Sequence, residues 1–153
     1  MASGDEVTRP LAGIRVVDLT QVYSGPYCAF LMAQGGAEVI KIEPPTGDPQ
    51  RGLKNMLNLQ GEGPNPFNEI PNRGKRSVGI DLSKPEGQAL LHEMVKTADV
   101  FLTNMLPAAR QKMRIDIEHI RAANPDIIYA RGSAYGDKGP DRNRGGFDMT
   151  AFW

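Results

Sequence analysis

The sequence predicts an α/β fold of Rossmann-like type, with a largely parallel sheet flanked by helices. Short apolar runs, partly β-branched, recur along the chain and have the length of buried strands. Stretches with helical spacing of apolar residues separate these runs, and strand–helix alternation favours a parallel sheet with right-handed crossovers. The 153 residues fit one domain. We expect residues 1–10 to form a flexible tail and residues 11–153 to form the α/β domain.

The first strand, turn and helix are the best defined part of this pattern. Residues 14–19 are mostly apolar and predict a buried strand. Residues 20–26 then supply hydroxyls, a glycine and Pro26, which the first turn of a helix tolerates. Residues 27–37 are almost all apolar or small, so we expect a helix buried on most sides. Within it, Cys28 is expected to be a small buried side chain rather than a reactive thiol.

The middle of the chain predicts a strand, a loop and a second strand. Residues 38–43 alternate charged and apolar side chains, which is typical of a strand. Residues 44–71 carry many glycines and prolines and predict a long irregular loop, which is usually functional or mobile. Residues 77–82 predict the third strand.

A helix with a capping box is predicted next. Ser83 and Glu86 have the spacing of such a box, and the helix should run to about residue 97. One helical face should carry its apolar residues, Leu90, Leu91, Met94 and Val95.

The last third of the chain continues the alternation. Residues 99–104 predict a strand that ends on Asn104, and residues 126–130 predict another. Between them, Pro107 begins one short helix and Asp116 caps a second. A glycine-punctuated segment, residues 131–146, follows the last strand.

Polar side chains at the strand ends indicate a ligand site. In open α/β sheets, ligands bind outside the carboxyl ends of strands, where helix N-termini present free N–H groups to anions. Residues 21–25 occupy such a place. Cations, amides and hydroxyls near other strand ends suit a ligand with several phosphates and an adenine, although each cation alone could be a solvated surface charge. These residues are Asn72, Arg73, Lys75, Arg76, Asn104, Ser133, Tyr135 and Lys138.

Composition argues against several classes of partner. The 18 basic and 18 acidic residues cancel, so no global field favours nucleic acid or an anionic membrane. One cysteine excludes an internal disulfide framework and fits a reducing compartment. Residues 19–37 lack charge but contain polar residues, glycines and a proline, which argues against a membrane span. The polar N-terminus has no apolar signal region, so we expect a cytoplasmic protein.

Familiar catalytic and nucleotide-binding motifs are missing from the sequence. It contains neither the dinucleotide glycine fingerprint nor a P-loop, and no nucleophile elbow for a Ser-His-Asp site. His92 and His119 lack metal-ligand spacing, so no metal site is expected. We expect Asp18 to tie the turn after the first strand together. Asp148 is the best local candidate for a carboxylate at a helix start, with an N-cap role at least as plausible.

Several segments, taken together, resemble the N-terminal portion of family III CoA-transferases. The family includes formyl-CoA transferase, carnitine CoA-transferase and α-methylacyl-CoA racemase. The segments follow family order from Pro10 onward: PLAGIRVVDLT, SGP, GAEVIKIEPP with the following GD, NRGKRSVGIDL, ADVFLTN, NPDIIYARGSAYG and GGFD. The resemblance makes residues 11–153 the CoA-binding domain, truncated relative to the family.

The resemblance implies transfer of CoA from an acyl thioester to a free carboxylic acid. An aspartate carboxylate attacks the thioester in this family, and acyl anhydride and aspartyl-CoA intermediates follow. It implies CoA and acyl-CoA as substrates, with no permanently bound cofactor. It also implies an interlocked homodimer for the full-length form.

The resemblance also assigns CoA-contacting residues. The turn at Val22, Tyr23 and Ser24 would contact CoA beside the reacting carbonyl, and Asn104, Met105 and Leu106 would line the pantetheine path. The remaining assignments are Asn72 and Lys75 for the nucleotide, Lys112 for a phosphate, and Ser133, Ala134, Tyr135 and Gly136 for CoA. Two departures, Pro44 and Tyr23, replace a basic CoA contact and a glutamine of formyl-CoA transferase, which puts formate or oxalate specificity in doubt.

The resemblance places the catalytic residue outside this chain. Racemases of the family have a histidine before the aspartate of the segment aligned with Asp148, whereas this chain has Phe147, which disfavours racemisation. The nucleophilic aspartate is expected beyond Trp153, so the chain should be inactive alone. A non-catalytic CoA- or nucleotide-binding module remains the alternative.

Overall fold

The computed structural model describes residues 9–59 and 61–147, and their strands and helices alternate along the chain. The strands are β1 (Arg15–Leu19), β2 (Glu38–Glu43), β3 (Arg76–Gly79), β4 (Val100–Thr103) and β5 (Ile128–Arg131). The helices are α1 (Ser24–Gln34), α2 (Gln50–Met56), α3 (Pro66–Asn72), α4 (Pro85–Val95), α5 (Pro107–Met113) and α6 (Ile117–Ala123). All strand pairs are parallel, in the order β3-β2-β1-β4-β5, which confirms the predicted fold class.

The sheet separates two hydrophobic cores, because alternate strand residues point to opposite faces. Val16 of β1 packs with Ala29 and Ala33 of α1 on one face. Val17 packs on the other face with Leu91 of α4 and Ile120 of α6. Helices therefore cover both faces of the sheet, which explains why the central strands β1 and β4 are mostly apolar.

Strand order reverses between β1 and β4. The chain moves outward from β1 through β2 to the edge strand β3, and then returns to β4 on the other side of β1. Loops that follow β1 and β4 therefore leave in opposite directions and open a crevice at the carboxyl edge of the sheet.

The first helix differs from its prediction in position and in burial. It spans Ser24–Gln34 rather than residues 27–37, because Gly35 and Gly36 follow it and Gly36 has φ of 100°. Only one face is buried, whereas Leu31 remains 53% exposed. The predicted burial on most sides is wrong, since the helix contacts the sheet along a single stripe.

The prediction for Cys28 is also wrong. Its thiol lies on the outward face of α1 and is exposed. The neighbouring Ala29 occupies the buried position, at 0% exposure. Uniformly apolar helices carry no periodicity from which the buried face could have been read.

Two helices occupy the segment that was predicted to be an irregular loop. α2 and α3 form most of residues 50–72. Asn65 caps α3 by accepting a hydrogen bond from the Phe67 amide, and Pro66 begins the helix. The many glycines and prolines of this segment favoured the loop prediction, so Asn65 and Pro66 were not recognised as the start of a helix.

The predicted capping box of the fourth helix is not formed. Ser83 Oγ instead donates a hydrogen bond to Asp81 Oδ1, and α4 begins at Pro85 after Lys84. Leu91 and Val95 are buried as expected, but Leu90 is 52% exposed. Leu90 lies on the solvent side of the helix, so the prediction wrongly included it in the buried apolar face.

The other predicted elements are confirmed with small shifts at their ends. β2 has the predicted bounds, α5 begins at Pro107, and Asp116 caps α6 through the Ile117 amide. Residues 1–8 lie outside the described part of the chain, so the predicted N-terminal tail stays a prediction. Within residues 9–59 and 61–147, no helix has the length and hydropathy required to cross a bilayer.

Candidate functional site

Two adjoining cavities lie at the carboxyl ends of β1, β4 and β5. The first, about 500 Å³, is lined by residues 21, 24, 104–107, 109–110, 132–134, 137, 142 and 144–147, and we name it the charged cavity. The second, about 540 Å³, is lined by residues 21–24, 104, 133–135 and 146–147, and we name it the neutral cavity. Both lie where the strand order reverses, which is the usual ligand position in this architecture.

A reciprocal pair of hydrogen bonds joins the loops that follow β1 and β4. The Gln21 amide donates to Asn104 Oδ1, and Asn104 Nδ2 donates to the Gln21 carbonyl, each at 2.8 Å. Asn104 thus replaces the backbone pairing that ends where the two strands end. Because both residues line both cavities, this bridge forms part of their shared wall.

The turn after β1 contains a strained backbone conformation. Val22 has φ of 68°, a left-handed value that a β-branched residue rarely adopts. Its amide faces Asp48 Oδ1 at 3.4 Å. Gly25, three positions further on, leaves no room for a Cβ, which would lie 2.5 Å from Thr20 Cβ. The turn therefore depends on its surroundings to hold its shape.

A buried ion pair supports this turn from below. Lys41 Nζ donates to Asp48 Oδ2 and to the Thr20 carbonyl, both at 3.0 Å. The side chains of Lys41 and Asp48 are 2% and 1% exposed. Asp48 Oδ1 also accepts a hydrogen bond from the Gln50 amide at 2.9 Å, so the carboxylate is shared between the turn and the start of α2.

A neighbouring carboxylate extends this polar network. Glu43 accepts two hydrogen bonds from Arg51 and one from the Asp48 amide. Burial raises the pKa of Glu43, but the hydrogen bonds from Arg51, Asp48 and Ser77 outweigh it and bring the pKa to about 2.

A second buried ion pair lies behind the same turn. Lys75 Nζ donates to Asp18 Oδ2 at 2.8 Å, to the Pro26 carbonyl at 2.7 Å and to Asn72 Oδ1 at 3.0 Å. Burial lowers the pKa of Lys75, and the Asp18 carboxylate partly opposes this. Asp18 Oδ1 also accepts hydrogen bonds from the amide and hydroxyl of Thr20, which confirms that Asp18 ties the turn together.

Arginine side chains line the charged cavity. Arg110 is 5% exposed, and it donates to Asp116 Oδ1 at 3.2 Å and to the Met105 carbonyl at 2.8 Å. Arg144 pairs with Asp141 at 3.0 Å, and its guanidinium lies 5.7 Å from the Tyr135 ring centre. Arg142 also lines this cavity. The arginines make this cavity the more suitable of the two for an anion.

The structure brings together most of the thirteen residues that the family resemblance assigns to CoA. Nine of them line one or both cavities: Val22, Tyr23, Ser24, Asn104, Met105, Leu106, Ser133, Ala134 and Tyr135. The other four, Asn72, Lys75, Lys112 and Gly136, line neither cavity. Asn72 and Lys75 serve the buried network behind the turn, and Lys112 is exposed on α5. Their predicted contacts with CoA stay predictions.

Sequence reasoning missed Asp48, Arg110 and Arg142, whereas it had already placed Gln21 in the ligand-facing turn after the first strand. A signal existed for the Lys41–Asp48 pair, because Lys41 alternates with Ile40 and Ile42 in a central strand and a buried lysine requires an acidic partner. We find no comparable signal for Arg110, whose burial follows from its pairing with Asp116.

The candidate histidines take no part in either cavity. The His92 Nε2 atom shares a hydrogen bond of 2.8 Å with the Arg114 carbonyl, which is a structural role. Among the residues described, no group of three or more potential metal ligands occurs. Asp148, the candidate carboxylate at a helix start, lies outside the described residues.

Fold and site together define an α/β protein with two adjoining cavities at the switch point of a parallel sheet. Comparison with known proteins identifies the family. The model of CoA-transferase family III matches residues 11–152. The chain belongs to this family, and the resemblance found in the sequence is confirmed.

The relatives of the chain are CoA-transferases. It is 37% identical to the (R)-2-hydroxy-4-methylpentanoate CoA-transferase of Clostridioides difficile, over 94% of this chain and 36% of that protein. It is 38% identical to the succinate–glutarate CoA-transferase of Agrobacterium fabrum, over 91% of this chain and 36% of that protein. The crystal structure of a CAIB/BAIF family protein from Brucella suis superposes with a TM-score of 0.84 and 34% identity. That match covers 94% of this chain and 38% of the other.

The chain therefore spans little more than a third of the length of these relatives.

Proposed function

We propose that this chain provides the CoA-binding part of an acyl-CoA:carboxylate CoA-transferase. The observation that carries the proposal is the pair of adjoining cavities at the switch point, which nine of the predicted CoA-contacting residues line. Membership of the family supports CoA as the ligand. The neutral cavity combines aromatic and aliphatic side chains with a few polar groups, as ligand pockets generally do.

The pantetheine arm and thioester of the substrate suit the neutral cavity. Tyr23, Val22 and Tyr135 provide apolar surface, whereas Ser24 and Asn104 provide hydrogen-bonding groups. Among the described residues, none of those lining this cavity is an acid or a base of the Asp, Glu, His, Lys or Arg types. We infer that this part of the site binds and orients the thioester without exchanging protons with it.

The proposed chemistry requires a carboxylate nucleophile. In the first step, an aspartate oxygen bonds to the thioester carbon and CoA leaves as a thiolate, which gives a mixed anhydride. The thiolate then attacks the aspartyl carbonyl, releases the donor acid and forms an aspartyl-CoA thioester. The acceptor acid reverses these two steps and leaves as its CoA thioester. Every proton and electron pair is conserved without a redox cofactor.

We assign no catalytic role to a described residue. Asp137 is the only carboxylate among the described residues that line the cavities, and it is already paired with Arg131. We expect the nucleophilic aspartate beyond Trp153, as the family resemblance implies. Racemisation is disfavoured because Phe147, which lines both cavities, has no group that could move a proton.

Calorimetric titration with CoA tests the binding proposal. We expect saturable binding to the wild-type protein and about tenfold weaker binding to Tyr135→Ala, because an aromatic wall of the cavity is lost. Leu90→Ala is the matched control, since Leu90 is an exposed apolar side chain outside both cavities. Absence of CoA binding by the wild-type protein would contradict the proposal.

A non-catalytic CoA-binding module is the second candidate. The observation in its favour is that the only carboxylate found among the described lining residues is ion-paired. Incubation with an acyl-CoA, followed by hydroxylamine or borohydride trapping and mass spectrometry, tests for a nucleophile among residues 9–147, where neither candidate places one. A covalent adduct on an aspartate of residues 9–147 would contradict our assignment of the nucleophile. The interlocked homodimer and the cytoplasmic location stay predictions, and the mass in solution tests the former.

A further inference from the structure

The charges around the charged cavity cancel with one exception. Three of its four charged lining residues have partners of opposite sign, and these pairs are Arg110–Asp116, Asp137–Arg131 and Arg144–Asp141. Arg142 makes no side-chain hydrogen bond or ion pair with another described residue. One positive charge therefore faces this cavity without compensation from the described part of the chain.

The form of that charge limits which ligand it suits. A guanidinium presents a planar fork of N–H donors, which matches the two oxygens of a carboxylate. The phosphates of CoA carry several negative charges and usually require several cationic or backbone donors. A single uncompensated arginine is therefore better matched to one carboxylate than to the CoA phosphates.

The position of Arg142 relative to the neutral cavity supports the same assignment. The two cavities share seven lining residues, of which Ser24 begins α1, Asn104 follows β4 and Ser133 follows β5. The charged lining residues are confined to one side of this shared wall. A carboxylate and a thioester must lie side by side to react. The charged cavity suits the carboxylate, and the adjoining neutral cavity suits the thioester.

We propose that the charged cavity binds the free carboxylate of the acceptor acid and that the Arg142 guanidinium donates the hydrogen bonds that hold it. The proposal rests on the proposed function, because it assumes that CoA occupies the neutral cavity. It goes further by assigning the second substrate to a separate cavity and by naming the residue that recognises its charge.

Titrations of Arg142→Gln with two kinds of ligand test this proposal. Acetate, succinate and phenyllactate serve as carboxylate probes and are followed by NMR chemical shifts, whereas CoA is followed by calorimetry. The control is Arg121→Gln, which removes the same charge from an exposed position on α6 outside both cavities. Arg142→Lys keeps the charge but removes the fork.

We expect at least one of the three acids to bind the wild-type protein, about tenfold more weakly to Arg142→Gln, and with intermediate affinity to Arg142→Lys. CoA affinity should change less than about twofold in Arg142→Gln, and Arg121→Gln should resemble the wild type for both ligands. Added salt should weaken binding of the acid, since the contact is between charges.

Three results would overturn the proposal. They are failure of all three acids to bind the wild-type protein, weakening of CoA binding rather than acid binding by Arg142→Gln, and equal loss of acid binding in Arg121→Gln. The second result would assign Arg142 to a CoA phosphate. Failure of CoA to bind the wild-type protein is a separate result, which contradicts the proposed function itself.

Discussion

Asn104 pairs with the peptide groups of Gln21 as another strand would, with one hydrogen bond in each direction at 2.8 Å. A side-chain amide carries both the donor and the acceptor that this pairing needs. The pairing continues the contact between β1 and β4 one step past the end of the sheet. It also fixes the distance between the two loops that form the shared wall of the cavities.

Replacing Asn104 with alanine should therefore loosen the site and lower stability together. We expect the free energy of unfolding to fall by about 1–3 kcal/mol, because two part-buried backbone groups lose their partner. CoA binding should weaken in the same variant. Urea unfolding and calorimetry provide the measurements, with Asn55→Ala on the exposed surface of α2 as the control. Unchanged stability would show that solvent replaces the bridge without cost.

Breaking the Lys41–Asp48 pair should destabilise the protein strongly. Lys41→Met leaves the Asp48 carboxylate buried without its cation, and we expect a loss of about 3–5 kcal/mol in unfolding free energy. Lys84→Met, in an exposed ion pair with Asp81, should change it by less than about 1 kcal/mol. A double variant that adds Asp48→Asn should recover part of the loss. If both lysine variants behaved alike, the buried pair would have no special role beneath the turn.

Alanine substitutions at Gly25 and Gly52 should change the free energy of unfolding in opposite directions. A Cβ at Gly25 would lie 2.5 Å from Thr20 Cβ, and Thr20 is only 3% exposed, so it has little room to move. We expect Gly25→Ala to lower the free energy of unfolding by about 1–3 kcal/mol. A Cβ at Gly52 in α2 meets nothing within 4 Å, so alanine should stabilise by about 0.5–1 kcal/mol. Chemical unfolding of both variants is the measurement, and destabilisation by Gly52→Ala would contradict the assignment of α2.

Glu43 should make stability sensitive to acid. Burial raises its pKa, but the hydrogen bonds outweigh burial and bring the pKa to about 2, below the ordinary value of 4.5. A depressed pKa in the folded state means that the stabilisation is complete above about pH 4.5 and is lost as the pH falls through about 2. Glu43→Gln should flatten the dependence of unfolding free energy on pH between 5 and 2, whereas Glu93→Gln at an exposed position of α4 should not. Some slope should remain, because the pKa values of Glu38, Asp81 and Asp116 are also lowered.

The exposed position of Cys28 predicts a thiol that is accessible in the folded protein. A maleimide should label it without denaturant, and Cys28→Ser should change the unfolding free energy by less than about 0.5 kcal/mol. Peptide mapping after labelling identifies the site. Labelling only after unfolding would mean that α1 turns this face inward.

The sequence was most informative where local physics determines structure. The strands could be predicted where buried parallel strands are apolar runs of characteristic length, as in Val100–Thr103. The starts of the two cavity-lining loops could be located for the same reason, because each loop begins at the carboxyl end of β1 or β4.

Contacts between distant parts of the chain were less accessible to sequence reasoning. A lysine that binds a phosphate and a lysine that pairs with a buried carboxylate look the same in a sequence. The fold assigns Lys75 to the second role, because its side chain is 2% exposed and pairs with Asp18. Arg142 resembled any other cation in a glycine-rich segment. Arg142 stands out only in the folded protein, because Arg110, Asp137 and Arg144 are each paired there with a residue outside the cavity.

The central position of β1 also has a kinetic consequence. Val16 pairs with Val39 on one side, a local contact, but with Val100 on the other, much later in the chain. During synthesis, one edge of the innermost strand therefore stays without a neighbour until β4 has been made. Topologies with such distant pairing fold slowly and expose apolar strand edges meanwhile. We expect the segment through β3 to need protection from aggregation until Val100–Thr103 arrives to complete the centre of the sheet.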